Sequence, residues 1–278
     1  MTAVKPGSLI ASCTRFLGTC SLFAWLALPA SAGIVTQISV LKNAPNEQGT
    51  SPTIVSYPSI AAFTNNTSGS NTVRGTGQNA SCDLSTTVNG VVYYLGGSAT
   101  STDTKYLYTW PSFADWAADT NTQLIAQRNN YGGVSGMSVY NGELYVLEGS
   151  ASAGGSKTLR KWSTLADFAS GAGTAVGTRA VAGGIGFEIA PDGTVYQLAA
   201  NTPFTATAGI LYQWPSLAEY QTDSNLTVTN VSFFGDPPFG SDQIAGLAIV
   251  PEPLPAGLTA AGGLLGWIWL RCVRRERG

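Results

Sequence analysis

The sequence predicts an all-β protein with the architecture of a four-bladed β-propeller. An aromatic motif, written WPSFADW at 110–116, recurs with its first residue at Tyr57, Trp110, Trp162 and Trp214, at intervals of 53, 52 and 52 residues. An Asn-Gly or Asp-Gly turn precedes each of the last three copies, and a short apolar run follows each turn. Four short strands in a unit of about 40–50 residues are typical of one propeller blade.

Each unit is predicted to contain four strands, which we name a to d in chain order. Strand a ends at the turn, as in GMSVYN at 136–141 and GFEIAP at 186–191, and strand b follows the turn. Strand c ends on the first aromatic residue of the motif, and strand d is a looser run such as TQLIAQ. Asn-Gly or Asp-Gly between alternating apolar residues is a strong hairpin signal, so strands a and b should pair.

The two ends of the repeat region predict that the ring closes on itself. The first copy begins at strand b, within QISVL at 37–41, and the last apolar run, IAGLAIV at 244–250, has no unit after it. Pairing that last strand with the first blade completes a ring over residues 33–250 and removes the open edges that invite aggregation. A β-sandwich of the same strands is the alternative. The regular period favours the propeller.

The aromatic motif also places a hydroxyl residue three positions before an acid. The pairs are Ser112 and Asp115, Thr164 and Asp167, and Ser216 and Glu219. This is the spacing of a capping box, in which the hydroxyl accepts from the backbone of the acid and the acid reaches back. We expect each pair to cap a short helical turn after strand c. A repeated acidic ligand site is the alternative, and Ala62 at the acid position of the first copy weakens both.

The composition excludes several classes of function. Only 11% of the 278 residues are charged, against about 25% in typical globular proteins, and the net charge of −2 provides no basic patch for nucleic acid. Histidine is absent, which excludes a Ser-His-Asp hydrolase, a Cys-His protease and a His-bearing zinc site. We therefore expect no cofactor and no metal centre of a familiar kind.

The N-terminus has the parts of a secretory signal peptide over residues 1–32. Lys5 and Arg15 supply positive charge, an apolar run follows, and Ala30-Ser31-Ala32 fits the small-x-small rule for cleavage by signal peptidase. A retained membrane anchor is the alternative. If both ends of the chain are processed, Cys82 is the one cysteine left of the four in the sequence, so we expect no intramolecular disulfide.

The C-terminal segment, residues 251–278, consists of three successive parts. Pro251-Glu252-Pro253 comes first, and an uncharged segment of 17 residues, 254–270, follows. Arg271, Arg274 and Arg275 then form a basic cluster with Arg277. About 17 residues is the lower limit for a helix that spans a bilayer, and arginines tend to stay on the cytoplasmic side. The segment therefore predicts a C-terminal transmembrane helix.

The order of these three parts resembles the PEP-CTERM sorting signal of Gram-negative bacteria. The resemblance covers about 28 residues. It implies recognition by exosortase, cleavage near Pro251-Glu252-Pro253, and export to the cell surface or into an exopolysaccharide matrix, with the chain only transiently anchored in the membrane. A plain C-terminal anchor is the alternative. The resemblance implies nothing about what the repeat domain binds.

Three acids are the candidates for chemistry in the repeat domain. Aligning GGVSGMSVYNG with GGIGFEIAPDG places Glu188 opposite the apolar Met137, and Leu247 falls at the same position of the last strand. Glu188 could line a central channel with Asp83 and Asp242, and the three could coordinate a cation. The alternative is an exposed strand residue, and no calcium-loop motif supports a metal. Arg160 and Lys161 could contact an acidic polysaccharide, or simply face solvent.

These observations favour a non-catalytic, exported propeller that binds extracellular glycan or protein through loops at one end of the ring. Two further hypotheses stay open. One is a secreted enzyme that uses Glu188, Asp83 and Asp242 as carboxylate or metal-binding groups. The other is a purely structural component of the matrix.

Overall fold

The computed structural model describes residues 35–42, 53–73, 81–87, 89–98, 101–150, 155–181, 184–200, 209–231 and 244–251. The predicted signal peptide and the chain beyond residue 251 lie outside these ranges. So do the following residues singled out above: Ala30, Ala32, Asp242, Glu252, Pro253, Arg271, Arg274 and Arg275. Within the described ranges, none of the helices combines the length and the apolar character needed to cross a membrane.

The described strands form four antiparallel sheets of four strands each, and each sheet is one blade. Blade 1 contains, innermost strand first, β16 (Ile244–Pro251), β1 (Val35–Lys42), β2 (Thr53–Tyr57) and β3 (Ser70–Val73). Blade 2 contains β4 (Ser81–Thr86), β5 (Val92–Gly96), β6 (Asp103–Trp110) and β7 (Gln123–Tyr131). Blade 3 contains β8 (Val134–Tyr140), β9 (Glu143–Glu148), β10 (Gly155–Trp162) and β11 (Thr174–Val181). Blade 4 contains β12 (Gly184–Ile189), β13 (Val195–Ala200), β14 (Gly209–Trp214) and β15 (Thr227–Val231).

Blade 1 is assembled from both ends of the repeat region. The last strand, β16, pairs antiparallel with β1, and Leu247 lies opposite Val40. β1 then pairs with β2, and β2 pairs with β3. The predicted four-bladed propeller closed by its last strand is therefore confirmed, and the β-sandwich alternative is wrong.

The hairpin turns between the first two strands of the blades differ in length. In blade 3, Asn141 and Gly142 form a two-residue turn with φ values of 52° and 78°. This is the left-handed pair that an Asn-Gly hairpin turn requires. In blade 4 the turn is one residue longer, because the Ala190 N–H donates to the Thr194 carbonyl and Gly193 takes the left-handed position.

That extra residue corrects one alignment drawn from the sequence. The pairing of the first and second strands places Glu188 level with Ser138 and Ala248 of the neighbouring inner strands. The expected equivalence of Glu188 with Met137 and Leu247 is therefore wrong by one position. The sequence alignment matched the turn glycines Gly142 and Gly193, and the longer turn of blade 4 therefore displaced every residue before it by one position.

Four apolar cores fill the spaces between neighbouring blades. Each core contains the first and the seventh residue of one motif copy: Tyr57 and Phe63, Trp110 and Trp116, Trp162 and Phe168, and Trp214 and Tyr220. None of these eight side chains is more than 2% exposed. Fully burying a large apolar side chain contributes about 1.5–3 kcal/mol. The repeated motif is therefore the joint that packs one blade against the next.

A short helix follows the third strand of every blade. These helices are α1 (Ile60–Thr64), α2 (Phe113–Ala118), the 3-10 helix η1 (Ala166–Ala169) and α3 (Leu217–Thr222). The motif explains them, because its proline or serine ends the strand and its hydroxyl residue precedes the first helical turn. Each helix carries the seventh motif residue into the core between two blades.

Candidate functional site: the axial carboxyl pair

The innermost strands converge on the axis of the propeller. β4, β8, β12 and β16 contact their neighbours in ring order, and Cα atoms of the opposite strands β4 and β12 come within 8 Å of each other. Asp83 of β4 and Glu188 of β12 are both 0% exposed. The two carboxyls therefore lie in the packed centre of the ring, and not on the solvent-accessible wall of a channel.

Asp83 accepts a hydrogen bond from a backbone N–H of every blade. Its Oδ1 accepts from Leu84 and from Leu247, each at 2.8 Å. Its Oδ2 accepts from Met137 at 2.7 Å and from Phe187 at 3.0 Å. An ionised carboxylate offers about four lone-pair sites, so these four donors use all of them. One side chain thus connects all four inner strands.

Three glycines make room for this arrangement. Gly136, Gly186 and Gly246 stand at the positions equivalent to Asp83 on the other inner strands. A Cβ on Gly136 would lie 2.5 Å from the Phe187 Cβ, and a Cβ on Gly246 would lie 2.7 Å from the Asp83 Oδ1. Contacts that short do not occur between non-bonded atoms, so the four strands can approach the axis only with these glycines.

Glu188 lies at the next level of the axis and accepts hydrogen bonds from two serines. The hydroxyls of Ser85 and Ser138 both donate to its Oε1, at 3.0 Å each. Each serine oxygen also accepts a backbone N–H from the next blade, from Val139 at 3.0 Å and from Ile189 at 2.9 Å. The serines therefore link neighbouring blades as well as holding the carboxyl.

The second oxygen of Glu188 is different. Its Oε2 is buried and has no hydrogen-bond partner among the described residues. The fourth position of this level is occupied by Ala248, whose side chain offers no polar group. An unpartnered ionised oxygen in this environment would cost several kcal/mol, so the arrangement favours a protonated glutamic acid.

Burial and hydrogen bonds control the ionisation of the two acids. Burial raises the pKa of Glu188 well above its ordinary range, and the charge of Asp83 raises the pKa further, while the hydrogen bonds from Ser85 and Ser138 oppose the shift. Burial also raises the pKa of Asp83, and its four N–H donors lower it. Four N–H donors stabilise the ionised form of Asp83, whereas the Glu188 Oε2 has no donor, so the hydrogen bonds favour a proton on Glu188 and the charge on Asp83.

This chemistry fits a structural role. Asp83 is surrounded by N–H donors, which are the wrong polarity for a cation site. No group of three or more His, Cys, Asp or Glu residues within the described ranges could hold a metal ion. Asp242, the third predicted member of the site, lies outside those ranges.

The motif acids lie at the ends of the short helices, away from the axis. The hydroxyl oxygens of Ser112 and Ser216 accept from the backbone N–H of Asp115 at 3.1 Å and Glu219 at 3.3 Å. Each acid in turn accepts from that hydroxyl, at 2.5 Å for Asp115 and 3.0 Å for Glu219. The hydrogen bond from Ser112 is the largest cause of the lowered pKa of the partly exposed Asp115.

Blade 3 uses the same spacing in a slightly different way. The Thr164 hydroxyl accepts from the Asp167 N–H at 3.2 Å, and the Asp167 Oδ2 accepts from the Thr164 backbone N–H at 3.1 Å. This is the reciprocal arrangement of a capping box. In blade 1, Ser59 accepts from the Ala62 N–H at 3.0 Å without any acid. These acids therefore belong to the joint between blades.

The sequence did not predict the role of an arginine in the joint between blades 2 and 3. The guanidinium carbon of Arg128 lies 4.4 Å from the centre of the Tyr131 ring and 5.6 Å from that of Phe168. Its Nη1 donates to the carbonyl oxygens of Gly171 at 2.7 Å and Phe168 at 3.2 Å. Because Arg128 belongs to blade 2 and Phe168 to blade 3, this one side chain fastens two blades together.

Arg179 repeats the arrangement between blades 3 and 4. Its guanidinium carbon lies 4.4 Å from the Trp214 ring centre, and its Nη1 donates to the Tyr220 carbonyl at 2.9 Å. The signal was present in the sequence, because the two arginines precede their motif tryptophans by 34 and 35 residues. Val231 holds the equivalent position of blade 4 and packs against Tyr57.

The two basic residues singled out in blade 3 both have carboxylate partners. Arg160 Nε donates to Glu148 Oε2 at 2.6 Å, and Lys161 Nζ donates to Glu143 Oε1 at 2.9 Å. The Tyr131 hydroxyl also donates to Glu148, at 2.5 Å. These contacts occupy the basic pair, which makes it less available to an acidic polysaccharide.

No known protein family and no curated protein matches this chain. The solved structures that match include the structure of U3-55K, at 10% identity and a TM-score of 0.29, over 69% of this chain and 51% of that one. They also include the crystal structure of the RRP9 WD40 repeats, at 9% identity and a TM-score of 0.29, again over 69% and 51%. This chain thus matches about half the length of either protein. The fold assignment stands on the sheet order described above.

Proposed function

We propose that this protein is an exported, non-catalytic propeller that works at the cell surface or in the exopolysaccharide matrix by binding extracellular glycan or protein. The observation that carries the proposal is the use of the candidate acids inside the fold. Asp83 is saturated by four backbone N–H donors, Glu188 is fully buried, and the motif acids cap helices. Because these acids are used inside the fold, we assign the binding function to side chains on the surface of the propeller.

The route to the surface rests on the two terminal signals. Signal peptidase cleaves after Ala32, the C-terminal helix holds the chain transiently in the inner membrane, and exosortase processes it near Pro251-Glu252-Pro253. These two enzymes and the membrane are the processing partners, and nucleic acid is not a partner. A purely structural role in the matrix needs the same route but no ligand.

Fractionation of cells tests the route. The full chain is compared with a variant lacking residues 252–278 and with Glu252→Ala, while Asp115→Asn in the propeller serves as a control that leaves the sorting segment intact. We expect the full chain and the control in the surface or matrix fraction. The truncated chain should appear in the periplasm or medium. An unchanged distribution of the truncated chain contradicts the sorting proposal.

Binding is tested with the purified protein on an array of glycans and on extracts of matrix proteins. Saturable binding to either class supports the binding role, and its complete absence favours the structural role. An enzyme that uses Glu188 is the remaining candidate, and its unpartnered Oε2 is the observation in its favour. Bound metal measured in the wild type and in Glu188→Ala distinguishes that candidate, because a metal enzyme must lose its metal in the variant.

A further inference from the structure

We propose that one face of blade 2 binds a neutral polysaccharide chain at the outer opening between blades 1 and 2. We call this surface the tyrosine face, and its residues are Thr104, Tyr106, Tyr108, Gln127 and Asn129. The inference deepens the proposed function and rests on it, since it names both the class of glycan and the place where it binds.

A row of aromatic rings leads from the buried joint to the surface. Trp110, Tyr108 and Tyr106 alternate along β6, so their side chains lie on the same face of the sheet. The ring centres of Tyr108 and Trp110 are 6.0 Å apart, and those of Tyr106 and Tyr108 are 6.1 Å apart with a 21° angle between planes. Trp110 is fully buried, whereas Tyr106 and Tyr108 are partly exposed. The row therefore ends in a stacked aromatic surface that solvent reaches.

Two exposed amides lie beside the tyrosines on β7. Gln127 is directly opposite Tyr106 in the strand pairing. The Asn129 Oδ1 accepts from the Gln127 Nε2 and from the Thr104 hydroxyl, both at 3.2 Å. That network uses neither the Asn129 Nδ2 nor the Gln127 Oε1, so one amide donor and one acceptor remain available next to the rings.

Hydroxyl groups line the facing wall on blade 1. Ile54 of β2 packs in the same core as Trp110, which identifies the face of blade 1 that looks toward blade 2. Alternation along β2 places Ser56 on that face, and Ser70 is opposite Ser56 on β3. The opening thus has tyrosine rings and amides on one side and hydroxyls on the other, where the Ser56 hydroxyl bonds to that of Ser39 and the Ser70 hydroxyl donates to the Ser56 carbonyl oxygen.

Two of the other three openings between blades are built differently. Between blades 2 and 3, Glu148 joins the Tyr131 hydroxyl to Arg160. Between blades 3 and 4, Arg179 pairs with Asp223. These openings are bridged by charged side chains, whereas the described side chains of the tyrosine face carry no charge.

The strand register shows that the tyrosine pair is particular to blade 2. Leu107, Leu159 and Leu211 occupy the same position of their blades, so Tyr106 corresponds to Thr158 in blade 3 and Ile210 in blade 4. An aromatic residue that only fills a joint between two blades should recur as the motif aromatics do. The pair is therefore an addition to the blade, and not part of its repeated framework.

This chemistry fits a neutral sugar. The face of an aromatic ring carries partial negative charge and attracts the weakly positive C–H groups of a pyranose ring. Amide and hydroxyl groups supply the hydrogen bonds that orient a ligand in a mostly apolar site. An acidic polysaccharide would find no compensating cation among the described residues of this face.

The test measures binding of the purified full chain to two soluble neutral glucans, laminarin and dextran, and to alginate as an acidic comparison. The variants are Tyr106→Ala and Asn129→Ala. Tyr212→Ala is the matched control, because Tyr212 stacks on Trp214 at 5.9 Å in another blade. Circular dichroism verifies that each variant folds.

We expect wild type and Tyr212→Ala to bind a neutral glucan with the same affinity, Asn129→Ala to bind several-fold more weakly, and Tyr106→Ala at least tenfold more weakly. If the glucan binds but Tyr106→Ala retains wild-type affinity, the tyrosine face is overturned and glycan binding stands. If only alginate or a matrix protein binds, the neutral ligand is overturned while a binding function survives. If none of the three polysaccharides binds, the tyrosine face is overturned, and the glycan array and the matrix extracts decide the binding function.

Discussion

The same four blades are held together in two different ways at the axis, where the inner strands meet, and at the rim, where the motif aromatics pack between neighbouring blades. At the rim, the motif aromatics pack in four similar cores, so each interface repeats the last. At the axis, one level contains Asp83 and three glycines, and the next contains Ser85, Ser138, Glu188 and Ala248. The rim is apolar and repeated, whereas the axis is polar and different in every blade.

The difference follows from geometry. Each joint at the rim involves two blades, so one solution serves every interface. The axis is a single place shared by four strands, and only one side chain can fill it. A repeat that placed an aspartate on every blade would bring four charges together. Breaking the repeat at Asp83 is therefore the physical condition for closing the ring around a carboxylate.

Removing the axial carboxylate should have the largest effect of any single change. Asp83→Ala leaves four buried N–H donors without an acceptor, and each unsatisfied group costs about 1–3 kcal/mol. Such a loss approaches the whole stability of a typical domain. We expect no cooperative unfolding transition in urea followed by fluorescence. Asp115→Ala, which removes a partly exposed acid at the rim, is the control and should unfold cooperatively.

Adding one methyl group at the axis should have the next largest effect. In Gly186→Ala the new Cβ would lie 2.6 Å from the Leu247 Cβ, which forces β12 and β16 apart. Overpacking of this kind typically costs about 1–3 kcal/mol. Gly132→Ala is the control, because a Cβ there meets nothing within 4 Å. Equal midpoints of urea unfolding for the two variants would show that the inner strands are not tightly packed.

The arginine joints test how far the rim depends on polar contacts. Arg128→Ala loses two hydrogen bonds to carbonyls and the contact with aromatic rings, and we expect a loss of about 2 kcal/mol in the free energy of unfolding. Arg128→Lys keeps the charge but not the planar fork, so it should recover less than half. If Arg128→Lys recovered the full free energy of unfolding, the positive charge alone would account for the stabilising contact between blades 2 and 3.

The pH dependence of stability distinguishes Glu188 from every acid at the rim. Its folded pKa is raised above the ordinary value of 4.5, so the folded chain keeps a proton that the unfolded chain releases. Its stabilising contribution is complete below pH 4.5 and is lost progressively as the pH rises toward the folded pKa. Glu188→Gln should remove this decline, which has a slope of up to about 1.4 kcal/mol per pH unit for one proton.

The measurement is urea unfolding at several pH values above 4.5, for wild type and Glu188→Gln. Asp115→Asn is the control and should keep the slope of the wild type in this range, because the lowered pKa of that partly exposed acid makes its contribution complete above its ordinary value of 3.8. Parallel curves for wild type and Glu188→Gln would show that the axial glutamate is ionised in the folded protein.

The helix caps should give the smallest effect. Ser112→Ala removes the oxygen that accepts from the Asp115 N–H, and the loss of an N-cap typically costs about 1 kcal/mol. Ser112→Thr should retain most of the stability. A loss as large as that in Gly186→Ala would mean that the cap also supports packing in the core.

The sequence predicted what recurs and largely missed what does not. Intervals of 52 residues between Trp110, Trp162 and Trp214 predicted the number of blades, and an unpaired last strand predicted the closure. The role of Asp83 was not predictable in the same way, because its four donors come from strands up to 164 residues apart in the chain. Its signal was an acid at a position where the other inner strands have glycine, and that signal needs the correct strand register.

Glu188 is a second residue whose role depends on a strand register that the sequence did not predict. The sequence distinguishes Glu188 from the apolar Met137 and Leu247 with which it was aligned. A one-residue difference in turn length made that alignment wrong by one position. Only the backbone pairing places it level with Ser138 and Ala248. A hydrophobic pattern reports burial on a face, and it carries no information about which polar atoms meet at the centre of a ring.

The closure by β16 also determines how the molecule responds to mechanical force. Any pull on the chain beyond Pro251 acts directly on the innermost strand, which is paired along its length with β1 and joined to Asp83 through the Leu247 N–H. Tension would have to shear that strand from the middle of the ring before any outer strand is loaded. A propeller tethered by its C-terminal end is therefore held by its innermost strand.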